Sequence, residues 1–128
     1  MKVEHIALFV EDLQRMQQFY SRWFGATPGP LYHNPITGLT SCFCSFPDGS
    51  CRLELMHWPD HSPRPSALRP LGYAHLAFSL GSRQAVDQLT RQLCQAGCRV
   101  VSQPRTTGDG YYESCVEDPE QNQLELTV

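Results

Sequence analysis

Two stretches of the chain alternate between apolar and polar residues with the period of two that is typical of a half-buried β-strand. They occupy residues 3–9 and 73–79 and align with each other, His5 on His75. A second repeat aligns residues 47–55 with residues 119–126, and the tripeptide Leu-Glu-Leu ends both copies. The order of the two motifs is the same in each half of the chain. We therefore predict two halves built on one plan.

Each alternating stretch is followed by a run in which apolar residues recur every three or four positions, the spacing of a helix that buries one face. In the first half Asp12 is the predicted N-cap and Gly25 ends the helix. In the second half Ser82 is the predicted N-cap and Gly97 ends the helix. The predicted buried positions are Leu13, Met16, Tyr20, Trp23 and Phe24 in the first helix, and Val86, Leu89, Leu93 and Ala96 in the second.

Segments rich in β-forming residues come after both helices. We predict strands at residues 38–46, 51–57, 98–102, 111–116 and 123–128, with a further short strand near Leu31. Residues 59–70 contain four prolines and are predicted to link the halves. The fold class is α+β, in a single domain spanning residues 1–128. Its first module covers about residues 1–58 and its second about residues 71–128.

Composition and charge exclude several classes of protein. The formal net charge is −3 and no run of basic residues occurs, so no nucleic-acid partner is expected. No stretch approaches the roughly 18 apolar residues of a membrane span, and the first residues do not resemble a secretory signal. We therefore expect a cytoplasmic protein without a membrane partner. The six cysteines are expected to be free thiols that fill the core.

Four polar side chains occupy equivalent places in the two halves. In a strand, residues two apart share a face, so His5 and His75 point away from the apolar residues expected to contact the helices. Glu54 and Glu125 each lie between two leucines and point the same way. Two imidazoles and two carboxylates suit zinc, nickel, iron, cobalt or manganese better than calcium. Taken singly, each residue is more often an ordinary surface group, but the repetition of both favours a metal site.

The sequence resembles the vicinal oxygen chelate superfamily, also called the glyoxalase/bleomycin-resistance/dioxygenase group, along essentially its whole length. The residues that carry the resemblance are His5 to Asp12, Phe19-Tyr20, Phe24-Gly25, Ala74 to Phe78, Glu117-Asp118-Pro119 and Leu124-Glu125-Leu126. The resemblance implies paired βαβββ modules that form an incomplete barrel around a divalent metal. It also implies a homodimer, whose sites are completed either within one chain or between two.

The set His5, Glu54, His75 and Glu125 is similar to the metal ligands of glyoxalase I. This likeness implies a lyase or isomerase that acts on a small-molecule substrate, as lactoylglutathione lyase does, with nickel or zinc as the first candidates. The metal would stabilise an enediolate, and Glu125, with Glu54 facing it, would move the proton. Phe9 stands where the bacterial glutathione-dependent enzyme has an arginine, so the identity of the thiol in the substrate is left open.

Two other functions stay open on the sequence alone. One is a non-catalytic protein of the bleomycin-resistance type that binds a drug or metabolite. The other is an iron-dependent extradiol dioxygenase. Such an enzyme needs an open site for oxygen on its iron, and Glu54 as a fourth protein ligand argues against that. Further candidates for contact with substrate are Arg105, Arg69 and Trp58, whereas His33, His57 and His61 are expected to be solvated.

Overall fold

The structure is a computed structural model that describes residues 1–49, 51–60, 62 and 71–128. The chain divides into two compact units, Met1–Arg64 and Pro65–Val128. The fold is mixed α+β, with two helices and two separate sheets in the described part of the chain. Most of the predicted linker, including His61 and Arg69, lies outside the described residues.

Unit 1 contains one helix and a five-stranded sheet. Its elements are β1 (His5–Phe9), α1 (Leu13–Phe24), β2 (Thr27–Pro28), β3 (Tyr32–His33), β4 (Thr40–Ser45) and β5 (Arg52–His57). Strand β5 lies between β1, to which it is parallel, and β4, to which it is antiparallel. The two short strands β2 and β3 both pair with β4. The strand predicted near Leu31 is thus β3, and β2 is an additional strand.

Unit 2 repeats this plan with a four-stranded sheet. Its elements are β6 (Leu76–Ser79), α2 (Arg83–Gln95), β7 (Val100–Thr106), β8 (Tyr112–Glu117) and β9 (Gln123–Thr127). Strand β9 is parallel to β6 and antiparallel to β8, and β8 in turn is antiparallel to β7. The βα start and the parallel pairing of the first and last strands are common to both units. The predicted order of one strand, one helix and further strands, once in each half of the chain, is confirmed.

Helix α1 begins and ends where the sequence predicts. The Asp12 side chain accepts a hydrogen bond from the backbone N–H of Arg15 at 2.9 Å, and Gly25 ends the helix at φ 66°. An N-cap carboxylate satisfies one of the free N–H groups of the first turn, and a left-handed residue without a side chain closes the last turn. The helix buries Met16, Phe19 and Tyr20 against its sheet.

Helix α2 has the predicted N-cap, since Ser82 accepts from the backbone N–H of Ala85 at 3.2 Å. Its buried residues are Val86, Thr90 and Leu93. The prediction that Ala96 belongs to this face is wrong, because the helix ends at Gln95 and Ala96 is an exposed C-cap residue. The buried hydroxyl of Thr90 has two partners. It donates to Val86 O and pairs with Ser114 Oγ, both at 2.6 Å.

The cysteines are free, as predicted, but only part of the set fills the core. Cys42 and Cys44 of β4 are buried, and burial raises the pKa of the Cys44 thiol to about 12. The prediction is wrong for Cys94, which is exposed. It lies on the solvent side of α2, one position beyond the buried Leu93. In the described residues, neither helix has the length and hydropathy needed to cross a membrane.

Candidate functional site

In unit 1, His5 and Glu54 meet on the sheet face that points away from α1. Strand β1 alternates, with His5, Ala7 and Phe9 exposed. Ala7 is the register partner of Glu54 in the parallel β1–β5 pair, so His5 lies diagonally beside Glu54. The His5 Nε2 atom is 3.9 Å from Glu54 Oε2. The sheet therefore brings these two side chains together within unit 1.

The His5 ring is oriented by Glu4 and Phe43, and Arg52 contacts both of these residues. Its Nδ1 atom lies 2.5 Å from Glu4 Oε2, and its ring packs edge-on against Phe43 at a centroid distance of 5.3 Å. Arg52 donates from Nε to Glu4 Oε1 at 2.8 Å and stacks on the Phe43 ring. The hydrogen bond to His5 and the Arg52 guanidinium hold the pKa of Glu4 below its usual value. A carboxylate on Nδ1 favours the tautomer that leaves Nε2 free to bind a metal.

In unit 2, His75 and Glu125 repeat the arrangement. Ala77 is the register partner of Glu125 in the parallel β6–β9 pair, and His75 again precedes that alanine by two positions. The His75 Nε2 atom is 3.4 Å from Glu125 Oε2. Both units thus place an imidazole and a carboxylate on the same face, at the same register, within 4 Å of each other.

Glu125 has different neighbours from Glu54. Glu113 on the adjacent strand β8 is a diagonal neighbour of Glu125, two positions from its register partner Cys115. Partial burial is the main effect that raises the pKa of Glu125; His75 lowers it, and Glu113 and Asp109 raise it further. The guanidinium of Arg105 on β7 lies 3.5 Å from Glu113 Oε1. Arg105, a candidate from the sequence, therefore reaches this face of the sheet through Glu113.

The thiol of Cys115 lies between these acidic groups. Cys115 is the register partner of Glu125, and Glu113 and Glu117 are two positions away on the same face of β8. Burial, followed by the charges of Glu125, Glu117 and Glu113, raises the pKa of Cys115. Glu117 is bound by Arg99 at 2.8 Å.

The donor pairs fit a divalent transition metal. Two ligand atoms about 2.1 Å from one zinc-like ion lie roughly 3–4 Å apart, depending on the angle between the bonds. The N–O distances of 3.9 Å and 3.4 Å fall in that range, and imidazole with carboxylate is a donor set that such ions accept. In the described residues the donors come as pairs, since no group of three or more His, Cys, Asp or Glu forms a metal cluster there.

Sequence reasoning missed the two carboxylates that lie next to the donors. Glu4 adjoins His5 in the sequence, and Glu113 follows the same alternation as Cys115 and Glu117 along β8. That alternation could have placed Glu113 on the site face, but its position beside Glu125 depends on the β8–β9 register. One expectation is wrong: His57 is half-buried, and its Nδ1 lies 3.1 Å from Val10 O. Trp58 is half-buried as well.

Comparisons with known proteins agree with these observations. The family model described as Glyoxalase/Bleomycin resistance protein/Dioxygenase superfamily matches residues 2–126. The uncharacterized protein YqjT of Bacillus subtilis (strain 168) is 31% identical over 131 residues, which cover 98% of each chain. A glyoxalase family protein from Enterococcus faecalis has a crystal structure with a TM-score of 0.82 at 24% identity, over 99% of this chain and 97% of that one.

Glyoxalase I from Zea mays also shares the fold. Its crystal structure gives a TM-score of 0.77 at 20% identity, over 98% of this chain and 44% of that chain. The chain therefore belongs to the glyoxalase/bleomycin resistance protein/dioxygenase superfamily. The resemblance stated from the sequence is confirmed, and so is the fold class that it implies.

Proposed function

We propose that this protein is a metal-dependent lyase or isomerase of the glyoxalase I type. His5, Glu54, His75 and Glu125 would hold one divalent ion, with nickel or zinc the first candidates and cobalt, manganese or iron the others. The observation that carries the proposal is the recurrence of one imidazole–carboxylate pair in both units at the same register. A solvated strand face has no physical reason to repeat both members of that pair.

Glu125 would act as the base. It would take a proton from the carbon next to a carbonyl group and return it to the neighbouring carbon, with Glu54 as the opposite carboxylate. Partial burial raises the pKa of Glu125 above its usual value, and a higher pKa makes a carboxylate a stronger proton acceptor. The ion, when bound, supplies Lewis-acid stabilisation of the negative charge that develops on adjacent substrate oxygens.

The substrate is proposed to be a small oxygen-rich molecule with an apolar flank, such as the hemithioacetal of a 2-oxoaldehyde. Phe9 is 66% exposed on the same face of β1 as His5, and its register partner on β5 is Met56. Exposed aromatic surface beside polar donors is a common feature of small-molecule sites. An apolar side chain at this position suits the carbon skeleton of the substrate better than an anionic group on its thiol.

The ligand set is proposed to be completed between the units, either of one chain or of two chains in a homodimer. Two donors from each unit give four, which leaves two places of a six-coordinate ion for substrate. Sedimentation velocity of the protein with and without nickel tests the dimer directly. A monomer in both states would restrict the site to a single chain.

The experiment that tests the function is metal reconstitution. The metal-free protein is titrated with nickel, zinc, cobalt and manganese, and each form is assayed with hemithioacetals of several thiols. We expect Glu125→Gln to lower turnover by about 10²- to 10⁴-fold, the usual contribution of a general base. Glu54→Gln should weaken both metal occupancy and turnover, and Asp60→Asn, at an exposed position, is the control.

The outcomes separate the alternatives. Absence of binding with every metal would refute the proposal. Tight metal binding without turnover of any hemithioacetal would refute its catalytic part and favour a protein that only binds a metabolite. Oxygen consumption with a catechol and iron would point to a dioxygenase instead.

A further inference from the structure

One row of side chains crosses the site face of unit 1 next to the row that contains Glu54. Register partners on neighbouring strands point to the same face, so a row can be followed from strand to strand. Phe9 on β1 pairs with Met56 on β5, and Met56 pairs with Ser41 on β4. Ser41 in turn pairs with Tyr32 on β3. We call these four residues the apolar row.

The apolar row presents large side chains to solvent. Phe9 is 66% exposed, Tyr32 is 56% exposed, and Met56 is half-buried. Ser41 is buried, so its larger neighbours cover it. An exposed apolar patch next to polar groups is a common mark of a ligand-binding surface.

Unit 2 has a polar row at the equivalent place. The residue four positions after the site histidine is Phe9 in unit 1 and Ser79 in unit 2. Ser79 pairs with Thr127, which pairs with Glu113. Glu113 pairs with Arg105 and lies 3.5 Å from its guanidinium. The fold therefore accepts polar residues at this place, and it does not itself require the apolar side chains of unit 1.

We propose that the apolar row binds the carbon side chain of the substrate and selects an aromatic or branched group over a methyl group. This inference rests on the proposed function and narrows its substrate to hemithioacetals of aryl or branched 2-oxoaldehydes. Side chains two positions apart on one strand are separated by about 6.6 Å, so the apolar row lies one such step from Ala7 and Glu54. A phenyl ring on the reacting carbons extends farther toward this row than a methyl group does.

The contrast between the rows decides which unit receives the apolar group. A ring placed against Phe9 and Met56 removes apolar surface from water, which is favourable. The same ring placed against Glu113 and Arg105 would displace water from charged groups without replacing its hydrogen bonds, which is costly. The apolar part of the substrate is therefore favoured over the row of unit 1.

The test measures the affinity of the nickel-loaded protein for two hydroxamic acids by titration calorimetry. Benzohydroxamic acid and acetohydroxamic acid offer the same two adjacent oxygens and differ only in carrying a phenyl or a methyl group. We expect the wild-type protein to bind the phenyl compound about 10- to 100-fold more tightly, a usual gain from apolar contact in a pocket. The ratio of the two affinities is then compared between variants, so the chemistry common to both compounds cancels.

Phe9→Ala and Met56→Ala should each lower this ratio by about 5- to 10-fold, because each removes apolar contact with the ring. Phe9→Leu keeps an apolar side chain and should retain most of the ratio. Tyr32→Ala should have a smaller effect, since Tyr32 lies two strands beyond Met56. The matched controls are Ser79→Ala and Thr127→Ala, at the equivalent places of the polar row, and both should leave the ratio unchanged.

The outcomes separate this inference from its alternatives. An unchanged ratio in both Phe9→Ala and Met56→Ala overturns it, and so does an equal fall of the ratio in the two controls. Sedimentation velocity shows whether the row is instead a contact between two chains, since Phe9→Ala would then dissociate a dimer and keep the ratio. Thermal unfolding identifies any misfolded variant, and Phe9→Leu supplies a second variant at that position. Failure of the wild-type protein to bind nickel in a separate titration refutes the proposed function itself and this inference with it.

Discussion

The two units place the same donors at the same register but surround them with different residues. In unit 1 the histidine is anchored, by Glu4 on Nδ1 and by the Phe43 ring. In unit 2 the carboxylate has an acidic neighbour instead, since Glu113, which lies 3.5 Å from Arg105, is diagonal to Glu125 on the adjacent strand. The position before His75 is an alanine, so unit 2 has no counterpart of Glu4. Ligand chemistry restricts the donors to a few residue types, whereas several kinds of neighbour can orient them.

The cores beneath the two sheets also differ from each other. Tyr20 of α1 is fully buried next to Phe19 and Phe24, with ring centroids 5.4 Å and 5.9 Å away. The equivalent place in α2 is held by Thr90, which is paired with the buried Ser114. Unit 1 thus relies on aromatic volume and unit 2 on a hydrogen bond between two small side chains.

The largest effect is expected from Tyr20→Ala. Removal of a fully buried aromatic ring leaves a cavity and costs about 3–5 kcal/mol of the free energy of unfolding. Chemical denaturation of the variant and the wild type measures this cost. A loss of less than about 1 kcal/mol would mean that unit 1 closes the cavity, and the contrast between the two cores would then disappear.

The hydroxyl pair of unit 2 should show a smaller, non-additive effect. Thr90 has one hydroxyl proton and gives it to Val86 O, so Ser114 must donate to Thr90 Oγ1. Thr90→Val therefore leaves a buried donor without its partner, at a cost of about 1–3 kcal/mol. Adding Ser114→Ala removes that donor and should restore part of the stability. A double-mutant cycle by chemical denaturation checks this, and strict additivity would contradict the pairing.

These details mark the limit of what the sequence predicted. The alternation of apolar and polar residues was enough to predict the faces of the strands. The repeat was enough to predict equivalent places for His5, Glu54, His75 and Glu125, whose role as metal ligands stays a prediction. The interior role of Thr90 was not predicted, because a polar residue in a helix is expected in solvent unless its partner on another strand is known. Glu113 was missed for a similar reason, since its position beside Glu125 depends on the β8–β9 register.

The support of His5 can be tested on its own. Glu4→Ala removes the carboxylate from Nδ1 and should weaken nickel affinity by about 10-fold. This is the lower end of the usual effect for a residue that orients a ligand, because Phe43 still contacts the ring. Glu4→Gln keeps an acceptor for Nδ1–H and should bind nickel nearly as well as wild type. Calorimetric titration measures both. An equal loss in the two variants would mean that Glu4 acts through its charge and not through the ring tautomer.

The smallest effect concerns the turn before the last strand of each sheet. The aligned motifs place Gly49 in unit 1 and Gln121 in unit 2 at the same point, and both adopt a left-handed backbone, with φ 67° and 65°. Only glycine adopts this conformation without steric cost, which is roughly 1–2 kcal/mol for other residues. Glycine also loses more backbone entropy on folding than other residues do, and this loss cancels part of its steric advantage.

Exchanging the residues between the two turns should therefore change stability in opposite directions. Gln121→Gly is expected to raise the free energy of unfolding by about 0.5–1 kcal/mol, and Gly49→Gln to lower it by a similar amount. Nothing lies within 4 Å of a Cβ atom built at Gly49, so the loss there would come from backbone conformation and not from a clash. Thermal and chemical denaturation of both variants provide the measurement. If Gln121→Gly destabilises the protein, the Gln121 side chain must contribute more to its turn than the left-handed backbone costs.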